Sequence, residues 1–184
     1  EVLTSRLDTT HLLAKAITET AHPPQAWILV TGVGVVLGRG GGAISHMLLP
    51  FRLGLGGPIG SGRQFFPWIH IGDLAGILNY ALEANHVQGV LNGVAPASTT
   101  TNAEFAQALG AALGRPAFIP VPSTVVRAVF GERAIMLLEG QKVVPRRTLA
   151  TGYQYSFPEL RAALKDVVAC SRTLRSGSGD DPCT

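Results

Sequence analysis

The chain has 184 residues, of which 46% are hydrophobic and only 15% are charged, and its formal net charge is +3. This composition is typical of a chain that folds around a core, in one domain or one and a half, and it excludes an intrinsically disordered protein. The basic residues are scattered apart from Lys142, Arg146 and Arg147, which disfavours a nucleic-acid-binding module and predicts no nucleic-acid partner.

The sequence also shows no membrane segment, metal motif or secretion signal. Its longest uncharged apolar run near the N-terminus, Ala26–Gly38, is too short to span a bilayer. Cys170 and Cys183 lack metal-ligand spacing, and a buried structural disulfide is not expected. We therefore expect an intracellular, cytoplasmic protein with no membrane partner and no bound metal.

The first half alternates strand-like apolar runs with amphipathic helices. Its predicted elements are a helix over Glu1–Thr20, a buried strand at Trp27–Val30, a second strand at Val33–Leu37, a short helix over Ala43–Leu49 that ends before Pro50, and a helix that begins at Asp73. Asp73 is interpreted as the cap of its helix, because a carboxylate stabilises a helix N-terminus. The apolar stripe of that helix consists of Leu74, Ile77, Leu78, Ala81 and Leu82.

The second half is predicted to be mainly helical. Its predicted elements are a strand at Val90–Asn92, a helix that runs from a capping box at Thr101–Glu104 to Gly114, a strand at Ala117–Val121, helices over Ser123–Phe130 and Ala134–Leu138, and a helix opened by a second capping box at Ser156–Glu159 with the apolar face Leu160, Ala163, Leu164, Val167 and Val168. Residues 170–184 are predicted to be a disordered tail. The pattern implies an α/β layer that carries a smaller helical lobe.

A glycine motif follows the second predicted strand. Gly38, Gly40 and Ala43 fit the pattern G-x-G-x-x-A of a dinucleotide fingerprint, in which glycines let a pyrophosphate approach a helix N-terminus. That fingerprint also requires an acidic residue about 20 positions further on, and no acid occurs between Glu19 and Asp73. We therefore interpret the motif as a tight strand-to-helix loop.

The segment Pro50–Asp73 is rich in glycine but also contains aromatic residues, so it predicts an ordered loop rather than a flexible linker. Arg63 and Gln64 are candidates for polar ligand contacts, since an arginine beside a glycine loop suits anion binding; the alternative is a solvated loop pair. His70 is interpreted as a structural histidine at a sheet end rather than a general base.

Three sequence blocks carry a family resemblance: GVVLGRGGGA (34–43), PFRLGLGGPIGSGRQFFPWIHIGDL (50–74) and LLEGQKVVPRRTLATGYQYSFPEL (137–160). With them, residues 1–169 resemble the nucleotide-sugar-epimerase-like, atypical extended short-chain dehydrogenases/reductases, which are NADP-dependent oxidoreductases. The resemblance implies an incomplete Rossmann-like parallel sheet over residues 1–100 and a mainly helical C-terminal domain of unknown function, on the substrate side, over residues 101–169.

The resemblance also implies that two parts of the family pattern are missing. Nothing in the sequence matches the family's G-G-T-G-F-I-G-type pyrophosphate loop, and the first β-α-β units are expected to be absent ahead of Glu1. Val33 runs directly into Gly34, where the family has a crossover between two parallel strands, and such a crossover needs a dozen or more residues. The family's Tyr-x-x-x-Lys pair, which transfers a proton during hydride transfer, does not occur either. The sequence therefore assigns no catalytic residue.

The remaining site residues follow from the resemblance alone. Glu1 and Arg6 match a helix that lies against the cofactor, Thr31 lies in the neighbourhood of the catalytic Ser/Thr, and Val36 matches a position beside the nicotinamide; Arg63, Gln64 and Trp68 are implied to line the substrate side. The implied function is that of an NADP-dependent oxidoreductase or epimerase-like protein with a small-molecule substrate, catalytically impaired in this chain. The alternative is a non-enzymatic product of the same gene, acting at most as a protein-interaction module.

Overall fold

The structure is a computed structural model that describes residues 32–38, 42–97, 99–131, 138 and 140–173. Within these residues, strands and helices follow one another in the order β1 Gly32–Val33, β2 Val35–Leu37, α1 Gly42–Arg52, β3 Trp68–His70, α2 Ile71–Glu83, β4 Asn92–Gly93, α3 Asn102–Leu113, α4 Ser123–Phe130, α5 Arg146–Ala150 and α6 Leu160–Thr173. The predicted elements Glu1–Thr20 and Trp27–Val30 lie outside the described residues, as does nearly all of Ala134–Leu138.

The strands pair in parallel. β1 pairs with β4, and β2 pairs with β3 in the register Val36 to Ile69. β3 is also joined to the residues that follow β4, by a hydrogen bond of 2.8 Å from the Ala95 N–H to the Trp68 carbonyl oxygen. The α/β class with a small, Rossmann-like parallel sheet is therefore confirmed, since parallel strands need crossover connections such as α2.

The run from β1 to β2 changes its neighbour at Gly34. The Gly34 N–H donates to the Gly93 carbonyl at 3.1 Å, whereas the next amide, that of Val35, donates to the Pro67 carbonyl at 2.7 Å. A Cβ on Gly34 would lie 2.8 Å from the Pro67 carbonyl carbon and oxygen and from the Trp68 nitrogen. The strand therefore forks at a residue where the neighbouring backbone leaves room only for glycine.

The helices α1, α3 and α6 pack on this sheet through one hydrophobic core. α3 packs against α6, α6 also contacts β2, and α1 contacts both β2 and α3. The predicted apolar face of α6 is confirmed, because all five of its residues are buried. Their core neighbours include the fully buried Leu37, Trp68, Phe105 and Leu109. Packing of this face, rather than helix propensity, stabilises α6 in place.

Two predicted caps have different outcomes. The first capping box is confirmed: the Thr101 side chain accepts from the Glu104 N–H, the Glu104 carboxylate accepts from the Thr101 N–H, and α3 ends at Gly114 with φ +67°. The second is wrong, because α6 begins at Leu160, which leaves Ser156 four residues outside the helix. The Ser156 N–H is instead used by a distant carboxylate, that of Asp73.

Other differences concern the ends of elements. α1 continues through Pro50 to Arg52, because Pro50 lies in the last turn, where losing one amide costs a single hydrogen bond. The predicted strand Ala117–Val121 is only an isolated bridge from Val121 to Ile59. Leu82, predicted to be on the buried stripe of α2, is 56% exposed. α6 extends to Thr173, past the point where the tail was predicted to begin, and residues 174–184 lie outside the described residues.

Candidate functional site

The glycine-rich segment before β3 is an ordered loop, as predicted, and the start of α3 holds it in place. The Asn102 and Ala103 amides donate to the Gln64 and Gly62 carbonyls, both at 2.9 Å. The Asn102 side chain, 1% exposed, accepts from the Ile59 N–H at 2.6 Å. The free amides of a helix N-terminus are thus used to fix a loop. Asn102 was not predicted as a site residue, and its position after a capping threonine was the signal available.

The substrate-side candidates Arg63 and Gln64 are neighbours on this loop. Arg63 is exposed, and its backbone N–H donates to the Ser61 hydroxyl at 3.3 Å. Gln64 is half-buried, and its Nε2 donates to the Ile59 carbonyl at 2.9 Å. The side chain of Arg63 therefore faces solvent, while that of Gln64 already supports the loop.

The helical lobe reaches this loop through residues 140–142. Gly140 has φ +49°, and a Cβ there would lie 2.2 Å from the Phe65 carbonyl oxygen. The ammonium of Lys142 lies 5.7 Å from the centre of the Phe65 ring, within the range of a cation–π contact. Lys142 is exposed, and its ammonium lies at the contact between the lobe and the loop.

Trp68 lies differently from its predicted position on the substrate side. Its side chain is fully buried in the core, and its Nε1 donates to the Thr100 hydroxyl at 3.4 Å. A large aromatic residue on a strand covered on both faces packs more favourably inside than at a surface. Trp68 therefore presents no surface to a ligand in this structure.

The cofactor-side candidates are only partly described. Val36 is the middle residue of β2, half-buried and paired with Ile69. Glu1, Arg6 and Thr31 lie outside the described residues, as does Gly40 of the glycine motif. The structure therefore brings Arg63 and Gln64 together and leaves the cofactor-side set a prediction.

Both ring nitrogens of His70 take part in the fold. Nδ1 accepts from the Gly72 N–H at 3.2 Å and caps α2, while Nε2 lies 3.2 Å from the Asp166 carboxylate on α6. The ring also stacks on Phe157, with the ring centres 3.9 Å apart. The geometry supports the interpretation of His70 as a structural residue, because neither nitrogen is available to a substrate proton.

Asp73 is not the helix cap that its position suggested, since His70 has that role. Its side chain is fully buried, and its two carboxylate oxygens accept from the Ser156 and Phe157 amides at 2.7 and 2.9 Å. It therefore ties the start of α2 to the segment that leads into α6. Among the described residues, no group of three His, Cys, Asp or Glu side chains converges as a metal site would require.

The three tyrosines all donate hydrogen bonds to backbone carbonyls. Tyr80 donates to Thr151, Tyr153 to Asp73 and Tyr155 to Val94, at 2.7, 3.2 and 3.0 Å. Burial raises the pKa of the Tyr155 hydroxyl to about 12, and burial followed by the charge of Asp73 raises the pKa of Tyr153. These shifts are opposite to the lowered pKa that a catalytic tyrosine needs near neutral pH.

The raised pKa of Tyr155 predicts a loss of stability in alkali. The unfolded chain loses this proton near pH 10.0 and the folded chain near pH 12. The folded state is thus favoured below the lower value, and that contribution is lost as the pH rises through the interval. We expect the wild-type Tm to fall across this interval and Tyr155→Phe to show a shallower fall, measured by circular dichroism. Parallel Tm curves for the two proteins would contradict the assignment.

Similarity to known proteins places the chain in one family of epimerase-type proteins. A family model for a domain of unknown function (DUF1731) matches residues 121–167. The crystal structure of a human epimerase family protein SDR39U1 (isoform 2) with NADPH is similar at a TM-score of 0.82 and 63% identity, over 92% of this chain and 74% of that one. The mouse epimerase family protein SDR39U1 is 78% identical, over 92% of this chain and 74% of its own length. The chain belongs to this epimerase family, and its resemblance to the family is confirmed.

The alignment with the mouse protein also shows an internal difference. It extends over 217 residues although only 92% of the present chain takes part. The mouse protein therefore has internal residues that this chain lacks, which supports the predicted gap. The position of that gap at Val33–Gly34 stays a prediction, and it coincides with the fork in the strand.

No helix among the described residues has the length and apolar character needed to cross a bilayer. A plant relative, 41% identical over 74% of this chain and 39% of its own length, carries the name "SDR39U1 homolog, chloroplastic". The expected cytoplasmic location stays a prediction.

Proposed function

We propose that this chain is an NADP(H)-linked, epimerase-like family member that retains the substrate-side loop and does not catalyse hydride transfer. The proposal rests on the hydrogen bonds that the three tyrosine hydroxyls make and on the lack of a lysine four residues after any of them. The sequence contains three tyrosines, and each hydroxyl is hydrogen-bonded to a carbonyl of the fold. None is followed four residues later by lysine, so no side chain can act as the proton-transfer pair of this family.

The retained substrate side supports the first half of the proposal. Arg63 and Gln64 lie on a loop that is fixed by α3 and contacted by Lys142. An exposed guanidinium on a loop that is already held in place suits an anionic or carbonyl-bearing small molecule, because binding then costs the loop little conformational entropy. We propose Arg63 and Gln64 as the substrate contacts and keep Val36, with Thr31, Glu1 and Arg6, as the cofactor-side positions.

Binding of NADPH by this chain is expected to be much weaker than binding by its human relative. No sequence segment matches the family's pyrophosphate loop, and the backbone amides of such a loop supply most of the phosphate binding. Fluorescence titration with NADPH should show no saturable binding in the micromolar range for this chain, with the human SDR39U1 protein as the positive control. A micromolar dissociation constant for this chain would contradict this prediction.

The absence of a sequence match to the pyrophosphate loop also favours a second candidate, a non-enzymatic protein-interaction module. The two candidates differ in one measurement. If NADPH binds only above the micromolar range and is not oxidised with any carbonyl substrate, the chain is an impaired enzyme; if no nicotinamide cofactor binds even at millimolar concentration, the interaction module is favoured.

A further inference from the structure

Four large apolar side chains are exposed together where α1 ends. Leu53 and Leu55 are 66% and 56% exposed, and Phe118 and Ile119 are 74% and 39% exposed. We call these four residues the apolar seam. A cluster of this kind differs from single exposed apolar residues, which are common on any surface, and it indicates an interaction surface.

The seam is rigid because its two segments are bonded to each other. The Ile119 N–H donates to the Gly56 carbonyl at 3.3 Å, and the Val121 N–H donates to the Pro58 carbonyl at 2.8 Å. A Cβ on Gly57 would lie 2.0 Å from the Ile119 carbonyl oxygen, so the backbones are in direct contact. Since these amides are used internally, the seam offers its side chains, rather than a strand edge, to a partner.

The two chain segments that form the seam contain basic residues and no acidic ones. Residues 50–72 and 105–131, which supply both segments, contain no Asp or Glu. Arg52 directly precedes Leu53, and Arg115, which is exposed, lies three residues before Phe118. Glu104, at the start of α3, is hydrogen-bonded to the Thr101 amide and hydroxyl. The seam is therefore an apolar surface bordered by arginines.

We propose that the apolar seam docks this protein onto the surface of an anionic lipid bilayer. Apolar side chains that enter the boundary of the acyl region, together with arginines near lipid phosphates, supply the two signals that stable peripheral binding needs. A second copy of the chain fits less well, because a symmetric contact would place two arginine-bordered surfaces against each other without an acidic partner from either segment. The expectation of no membrane partner rested on the lack of a spanning segment, which does not bear on a surface contact.

The test is co-sedimentation of the full chain with vesicles of phosphatidylglycerol and phosphatidylcholine in equal parts. We expect the wild type to bind these vesicles, to bind pure phosphatidylcholine much more weakly, and to be released by high salt. Phe118→Asp and Leu53→Asp should each lower the partition coefficient by about tenfold or more, because an inserted side chain is replaced by a charge that the lipids repel. Arg115→Gln should lower it by about fivefold.

Val90→Asp is the matched control. Val90 is 66% exposed, as Leu53 is, but it lies on the loop before β4 and outside the seam. This variant should bind within about twofold of the wild type, since it introduces the same charge elsewhere. The proposal is overturned if the wild type does not bind anionic vesicles, if Leu53→Asp and Val90→Asp bind alike, or if sedimentation shows that the seam variants only separate a dimer into monomers. Circular dichroism confirms that each variant is folded.

Discussion

Asp73→Ala should lower the free energy of unfolding by about 3–5 kcal/mol, a large share of the stability of a domain of this size. The reason is that a fully buried carboxylate accepts two backbone amides, those of Ser156 and Phe157, at 2.7 and 2.9 Å. The alanine leaves both amides without an acceptor, and hydrogen bonds to a charged group contribute about 1.5–3 kcal/mol each. Urea unfolding followed by circular dichroism measures the change.

Two further variants make this result specific to the buried carboxylate. Asp73→Asn keeps the shape but has only one acceptor oxygen, so it should lose about half as much as the alanine. Glu83→Ala removes an exposed acid from the other end of the same helix, and should change the stability by about 0.5 kcal/mol or less. An unfolding midpoint for Asp73→Ala equal to that of Glu83→Ala would show that the two amides find water or another acceptor.

The part of the fold that sequence reasoning predicted correctly depends on local signals. The α3 capping box needs only Thr101 and Glu104, three residues apart, and the α6 face needs only the 3.6-residue period. Asp73 shows the limit of such signals. Its position favours a helix cap, but its partners lie 83 and 84 residues further on, and only the packing of the lobe on α2 brings them together.

The candidate site likewise combines features with a local sequence signal and features that depend on distant contacts. Arg63 stays a prediction that rests on the glycines beside it in the sequence. Trp68 was misplaced because a buried strand and a site edge have the same aromatic, β-branched pattern. The contact of Lys142 with Phe65 joins residues 77 positions apart and depends on the positive φ of Gly140. No short-range pattern marks such a contact.

The predicted internal gap at Val33–Gly34 lies where the strand changes its neighbour in the structure. A crossover helix normally separates two parallel strands. Here β1 and β2 are joined directly, and the amides of Gly34 and Val35 bond to two different neighbours, at the end of β4 and just before β3. Because the change of neighbour takes place within one residue, the backbones of Gly34, Pro67 and Trp68 approach closely. The ability of this chain to form its sheet therefore depends on a glycine at the predicted join.

Gly34→Ala should accordingly destabilise the chain by about 2–4 kcal/mol, because the new Cβ would lie 2.8 Å from three backbone atoms that cannot rotate away. Gly38→Ala is the control at the end of the same run. Its Cβ would meet the Ile71 Cβ at 3.4 Å, an ordinary contact, so its effect should stay below about 1 kcal/mol. Hydrogen exchange at the Val35 amide, which donates to Pro67, should accelerate in the first variant and stay slow in the second. Equal exchange rates in the two variants would mean that β2 and β3 can separate without cost, and the fork would not constrain the fold.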